Sequence, residues 1–526
     1  MELPFTLDLR PDTGVALHRQ VYEKIRTAIL TGRVRSQQKL PATRQLAQSL
    51  CVSRTTITQS YDQLISEGYL ETRPGAGTFV SPQIPDHLLS SPVHSAVPES
   101  PVRDPIGEHC VSAFAKRLYS TANPSQSDQH SLSFRYWRPD LSLFPIKQWQ
   151  RIVNRHSLAN TEWMAYSTDP MGHEPLREAI AQYIFQSRAV SCQPEQILIT
   201  QGTQQALGLI AQVLLNEGDA IALENPGYLS ARKVFCSYGA VPIPIPFDAA
   251  GLNVAALEKA SSRHPPPKLV YVTPSHQFPT GVLMSLSRRL ALLEWAQQTG
   301  GLIVEDDYDS EFRYSGRPIP ALQGLDSNGR VLYVGTFSKV MFPGLRLGYI
   351  VLPPALVPVF QRAKWICDRQ SCILHQAALA TFLSEGYLAR HIRRMRMTYA
   401  QRRECLVAAL QTLGPVEILG DPAGLHVMVR LPLSSKRSSK MVSAGDLVKQ
   451  AASRGVGLFE VAPYYDDSRA NDVTANDVAL CAQEQKNRAR EFIFGFGGLG
   501  EAAIEDAIAR IKPLFVHLRS MVPGRE

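Results

Sequence analysis

From about residue 131 onward, short apolar runs alternate with helical stretches, and this alternation restricts the fold more than any other feature of the chain. The runs are QILIT (196–200), AIAL (220–223), KLVYVT (268–273), GLIVED (301–306) and RVLYVGT (330–336). Each is apolar throughout rather than at every second residue, so each reads as a strand buried on both faces. Between them lie stretches with helical periodicity, such as TQQALGLIAQVLL (203–215) and SRRLALLEWAQQTG (287–300). Strands of this kind separated by helices imply a parallel α/β sheet covered on both sides. From about residue 355 the helices lengthen, and AGLHVMVRLPL (423–433) and EFIFGFGGL (491–499) read as strands of a smaller α+β part, 355–526.

A chain of 526 residues is too long for one hydrophobic core. Residues 1–80 read as a separate module of helix, helix, helix and hairpin. Leu17, Val21, Ile25, Ala28 and Ile29 share a helical face, and Gly32 suits its end. Thr43 is placed to cap the second helix, with Leu46 and Leu50 on its inner face, and Ser53 to cap the third, with Ile57, Tyr61, Leu64 and Ile65 inward. YLETRPGAGTFV (69–80) reads as two short strands around a Pro-Gly-Ala-Gly turn. This order is a winged helix-turn-helix. It puts Ser53, Arg54, Thr55 and Thr56 on the first turn of the recognition helix, where arginine pairs with guanine and threonine meets phosphate or a thymine methyl. Thr43 and Arg44 face the DNA backbone, and Gly75 and Gly77, beside Arg73, let the wing approach a groove.

The net charge is +8, and residues 10–54 carry nine Lys and Arg against Asp12 and Glu23, which suits a polyanion there. Residues 81–130, rich in Pro and Ser at first, read as a linker with polyproline-like stiffness. The eight cysteines form no CxxC pair, so neither a metal site nor a disulfide framework is expected. MELPFTLDLRPD lacks the apolar core of a signal peptide, and no 18-residue apolar run occurs. A cytoplasmic protein with no membrane partner is the expectation.

TFSKVMFPGLRLGY (336–349) sets Lys339 just past an apolar strand, with Arg346 seven residues on. VEDDYDSEF (304–312) ends another strand in carboxylates. ITQGTQQAL (199–207) ends a third and begins a helix at Gly202-Thr203, whose free amides make an anion site. ENPGYLS (224–230) offers Tyr228 after a tight turn. Together these supply what pyridoxal 5′-phosphate (PLP) needs: Lys339 as the Schiff-base amine, Asp306 as the anion at the ring nitrogen, and Tyr308 at the phenolic oxygen. Arg346, Thr336, Ser338, Gly202 and Thr203 would take the phosphate, and Tyr228 the ring face.

LPATRQLAQSLCVSRTTITQSYDQLISEGYLETRPGAGTFV (40–80) resembles the GntR-type winged helix. YSTDPMGHEPLREAIAQYI, ITQGTQQAL, ENPGY, TPSHQFPTG, VEDDYDSEF and TFSKVMFPGLRLGYI resemble, in order and spacing, fold-type I PLP enzymes of the aminotransferase class I/II group over residues 131–526. The combination resembles the MocR/GabR subfamily of bacterial transcription regulators. That resemblance implies PLP held at Lys339 as an internal aldimine, with Asp306, Tyr308 and Arg346 around it. It also implies a homodimer that binds double-stranded DNA at two half-sites, and an effector that is PLP or an amino acid or amine. Two positions depart from the enzymes. Phe278, after His276 and Gln277, stands where aminotransferases carry Asn before PTG. Ile493 stands where they carry the arginine for a substrate carboxylate, with Arg490 and Arg469 nearby in sequence. These departures favour a sensor; a working aminotransferase with a DNA-binding appendage is the alternative.

Overall fold

The structure is a computed structural model. It describes residues 14–82, 110–119, 130–159, 169–262, 266–316, 319–420, 422–431, 444–466 and 490–519, with residues 9, 161, 164, 165 and 488. Two compact units divide it, residues 1–105 and 106–526.

In the first unit, α1 (Leu17–Leu30), α2 (Thr43–Ser49) and α3 (Arg54–Ser66) precede β1 (Leu70–Arg73) and β2 (Gly77–Val80). The strands pair antiparallel, Leu70 opposite Val80 and Arg73 opposite Gly77. Val21, Ile25, Leu46, Ile57, Leu64 and Val80 meet in one core, which is what the apolar spacing of each helix requires. Ser53 caps α3, its hydroxyl accepting from the Thr56 amide at 3.1 Å. Thr43 differs from expectation. The cap position is Ala42, which has no side-chain acceptor, and Thr43 is the first helical residue.

In the second unit the first strand is β3 (Leu132–Ser133). Its main sheet comprises β4 (Ile197–Thr200), β5 (Ala220–Asn225), β6 (Val241–Asp248), β7 (Gly251–Leu252), β8 (Leu269–Val272), β9 (Leu302–Asp307), β10 (Val331–Thr336) and β11 (Gly348–Val351). The spatial order is β4-β11-β10-β9-β8-β5-β6-β7. β10, β9, β8, β5 and β6 run parallel to one another, and the short β7 pairs antiparallel with β6. β11 is reversed, antiparallel to both β10 and β4. The parallel expectation therefore fails at this strand, which returns directly from the Lys339 loop without a crossover helix. β6, VPIPIPFD, went unread in the sequence. Its three prolines suit a strand with only two-residue β7 beyond it, because proline cannot donate to a ladder and is confined to sheet edges.

The smaller part is a sheet ordered β12 (Glu417–Leu419), β13 (His426–Arg430), β16 (Glu491–Gly495) and β15 (Phe459–Glu460), while β14 (Val456–Gly457) pairs with β3. Most of the stretch read as a linker lies outside the described residues. Within it, Ala113–Tyr119 is helical and is part of the second unit: Phe114 meets Tyr238 edge-on at 5.1 Å, and Arg117 pairs with Glu217 at 2.8 Å. Among the described residues no helix is long and apolar enough to cross a membrane.

Candidate functional site

In a parallel sheet the strands deliver their following loops to one edge, and ligands bind outside those carboxyl ends. Here β10 ends at Thr336 and the chain turns through Lys339. Its neighbour β9 ends in Asp306 and Asp307, held in register by Val334 opposite Asp306. The lysine is half-buried, and its Nζ donates to the Trp137 carbonyl at 3.1 Å. Loss of hydration lowers its pKa to about 8, against the opposing pull of Asp309 and Asp306. An amine with that acidity has a reactive neutral fraction near neutral pH.

Asp306 is buried. Its Oδ2 accepts from the Tyr271 hydroxyl at 2.7 Å, while its Oδ1 is buried without a partner. Burial pushes its pKa up to about 7; Tyr271 and Lys339 oppose this, and Asp307 and Asp309 add to it. A buried acceptor with no donor costs about 1–3 kcal/mol. A protonated pyridine nitrogen placed there would satisfy Oδ1 and hold the carboxylate ionised, so this residue fits PLP on the evidence of its own unmet hydrogen bond.

The opposite side of the site is built for an anion. Gly202, at φ 84° and ψ 176°, precedes the helix Thr203–Leu214, whose first amides point outward. The Arg346 guanidinium lies 3.4 Å from where a Gly202 side chain would begin, and its Nη2 donates to the Gln201 carbonyl at 2.8 Å. Gly348 must also be small, since a Cβ there would stand 3.0 Å from Gly202 Cα. The Thr336 hydroxyl donates to Ser338 Oγ at 3.0 Å and accepts from the Ser338 amide at 3.2 Å. Cation, hydroxyls and helix N-terminus converge here.

Tyr228 is half-buried against Phe278, ring centres 5.6 Å apart. Phe278 also meets Tyr136 and Tyr464, at 5.4 and 5.2 Å. The Tyr308 hydroxyl donates to the His276 carbonyl at 2.8 Å and lies 3.1 Å from His276 Nδ1. Gln277, directly before the position where aminotransferases carry asparagine, has its amide engaged elsewhere. Its amide nitrogen donates to the Pro226 and Phe278 carbonyls, and its oxygen accepts from Thr280. Ile493 is fully buried among Phe278, Met428 and Val461. Arg490 lies next to β16, and Arg469 lies outside the described residues.

The sequence reading missed Trp137, Tyr136, Glu224 and the group His276, Asp309 and His426. RYW (135–137) sits in a stretch without periodicity, and nothing in it announces a segment that covers the lysine. Glu224 is buried, with its pKa pushed up to about 7 by burial, and accepts from the Thr273 amide and hydroxyl.

In the first unit, Arg54, Thr55, Ser53 and Arg44 are exposed. None of α1, α2 and α3 has an acidic residue in its first turn, so no carboxylate there offsets the partial positive charge of the three N-termini. The Arg54 guanidinium makes no hydrogen bond or ion pair among the described residues. Arg73 does: it pairs with Glu71 at 2.6 Å and lies over the Phe79 ring at 4.6 Å. Gly75 and Gly77 have φ of 72° and 114°, values that favour glycine, so the turn requires them whatever it touches.

Comparison with known proteins agrees with both halves. Residues 140–463 match the family of aminotransferases of class I and II, and residues 17–80 match the bacterial regulatory proteins of the gntR family. The probable rhizopine catabolism regulatory protein MocR of Rhizobium meliloti is 41% identical over 404 residues, 76% of this chain and 78% of that protein. The HTH-type transcriptional regulator YhdI of Bacillus subtilis is 33% identical over 99% of this chain and 100% of its own. Among solved structures, kynurenine aminotransferase of Pyrococcus horikoshii, in complex with PMP, superposes with a TM-score of 0.65 at 28% identity, covering 78% of this chain and 97% of that one. LysN, the α-aminoadipate aminotransferase of Thermus thermophilus, gives 0.67 at 27%, covering 79% and 99%. A winged helix joined to a fold-type I aminotransferase domain, matched end to end by regulators of the same build, places the chain in the MocR/GabR subfamily of GntR-type transcription regulators.

Proposed function

We propose that the chain regulates transcription in response to PLP, which it holds covalently at Lys339. The observation that carries this reading is the unpartnered Oδ1 of Asp306 close to an amine of lowered pKa. Bound there, PLP supplies an aldehyde carbon that accepts an amine. The protein does the rest: Asp306 receives the ring N–H, Arg346 with Ser338, Thr336 and the Gly202-Thr203 amides holds the phosphate, and Tyr228 lies against the ring. Lys339 must first give up its hydrogen bond to the Trp137 carbonyl. Buried Ile493 in place of a cation favours sensing over transamination of amino acids, since a carboxylate placed there would be desolvated without a partner. A homodimer presenting two winged helices to two half-sites completes the reading.

PLP controls DNA binding only if it favours one arrangement of the molecule over another. Coupling between sites is typically about 1–3 kcal/mol, so a change of about fivefold or more in operator affinity is expected when PLP is added to the wild-type protein. Fluorescence anisotropy on a two-half-site operator measures it. Unchanged affinity together with unchanged transcription in vitro would sink the sensor reading.

A further inference from the structure

Behind Tyr308 lies a buried polar group that the PLP contacts do not use. His276 and Asp309 are each 2% exposed. His276 Nδ1 stands 3.1 and 3.2 Å from the two Asp309 oxygens, and 3.1 Å from the Tyr308 hydroxyl. His276 Nε2 is buried with no partner. An N–H at Nε2 would therefore be stranded, so the ring carries its proton on Nδ1, where Asp309 and the Tyr308 oxygen accept it. His426 supplies the opposite wall, its ring centre 4.9 Å from that of His276 and its Nε2 donating to the Pro279 carbonyl at 3.0 Å. Burial, then His276, pushes the His426 pKa down to about 3, so it stays neutral.

The three side chains have the composition of a metal site, with ligand-type atoms within 4.8 Å of one another. One ring nitrogen of each histidine is already committed, however: His276 Nδ1 to Asp309 and Tyr308, and His426 Nε2 to a carbonyl. Glycines close the space around them. A Cβ on Gly424 would stand 2.1 Å from His276 Cε1, and one on Gly281 would stand 3.0 Å from His276 Nε2.

We propose that Asp309, His276 and Tyr308 form a buried hydrogen-bonded chain whose function is to set how strongly the Tyr308 hydroxyl donates to the phenolic oxygen of PLP. Asp309 fixes the imidazole. The imidazole N–H donates to the Tyr308 oxygen, and a hydroxyl that accepts a hydrogen bond is a stronger donor in turn. In this structure Tyr308 gives its proton to the His276 carbonyl; with PLP present the phenolic oxygen competes for it. The chain also touches the small domain, because the Leu425 amide donates to Asp309 Oδ2 at 3.3 Å, next to Gly424. A shift of the small domain therefore reaches the cofactor through His276. The other charged groups facing this chain are Asp306 and Asp307 from β9, Glu224 from β5 and Lys339 after β10; Asp306 and Asp309 both bear on the lysine. His276 is accordingly a positioning residue.

The inference rests on PLP being held at Lys339, and its test is the acid–base midpoint of the PLP chromophore, read by absorbance in the full-length protein. A weaker donor at the phenolic oxygen leaves more negative charge beside the lysine nitrogen, so that nitrogen holds its proton to higher pH. His276→Leu should raise the midpoint by about one unit, a tenfold change in proton affinity. Tyr308→Phe should raise it at least as far, and the double variant should rise no further than Tyr308→Phe. His276→Asn, which keeps an N–H donor, should stay near wild type. Should His276→Leu fail to fold, 15N-histidine NMR of the wild type decides instead: the chain requires the proton of His276 on Nδ1, and an Nε2–H tautomer overturns it. Shifts that add in the double variant, an unshifted midpoint in His276→Leu, or a stoichiometric metal bound by wild type and lost in His276→Leu would also overturn it. A protein that takes up no PLP at all overturns the reading beneath it, whereas a chromophore indifferent to His276 overturns this inference alone.

Discussion

Lys339→Ala, mixed with PLP and desalted, is expected to come through without a covalent chromophore, while wild type stays yellow until borohydride reduces the C=N bond, which bleaches the colour and fixes the pyridoxyl group to the peptide containing Lys339. The change is all-or-none, because the charged groups that bear on this amine are the carboxylates of Asp309 and Asp306, and neither can replace it. PLP will still associate reversibly, since the Gly202-Thr203 amides, Arg346 and the Thr336–Ser338 hydroxyls do not depend on the lysine. The rate of covalent capture adds a second reading. Loss of hydration, opposed by Asp309 and Asp306, sets the amine pKa at about 8. Only the neutral amine attacks a carbonyl. Capture should therefore quicken about tenfold per pH unit well below 8 and level off above it. Stopped-flow absorbance gives the profile. A break near the ordinary lysine value would mean that the pocket does not desolvate this amine, and a colourless wild type would end the cofactor assignment.

What made the lysine legible was its setting. RVLYVGT, GLIVED and QILIT are apolar on both faces, so their burial and their type followed from the residues alone. Strand direction did not. β11 is as apolar as its neighbours, and its reversal depends on the short return from the Lys339 loop, which periodicity does not encode. β6 escaped for the opposite reason, because alternating prolines resemble a loop until a sheet edge accommodates them. Side-chain partners are the least legible level. His276 and Asp309 stand 33 positions apart, and their contact exists only because β8 and β9 are adjacent. Arg54 and Arg73 likewise look equivalent in sequence, whereas Arg73 is held by Glu71 and Phe79 and Arg54 is not.

That difference determines what each arginine should do on DNA. Arg54 is the first residue of α3, directly after the Ser53 cap. A cation there opposes the helix dipole, an unfavourable placement of about 0.3–1 kcal/mol. Among the described residues no ion pair compensates for it, so Arg54→Ala should leave the melting temperature of the winged helix unchanged or slightly raised. Its cost should fall on the complex. An arginine that pairs with guanine is worth about 1–3 kcal/mol of discrimination, so specific affinity should drop roughly 5- to 150-fold, with preference relaxed at one base pair. Arg73→Ala should cost less, because its guanidinium must first give up Glu71. Binding isotherms on the operator and on a scrambled duplex, each at several salt concentrations, separate the outcomes. If Arg54→Ala weakens both duplexes equally and the salt slope falls by about one, the side chain contacts phosphate and base reading belongs elsewhere on α3. If the slope holds and only the operator suffers, Arg54 reads sequence, and the first turn of α3 is the edge that enters the major groove.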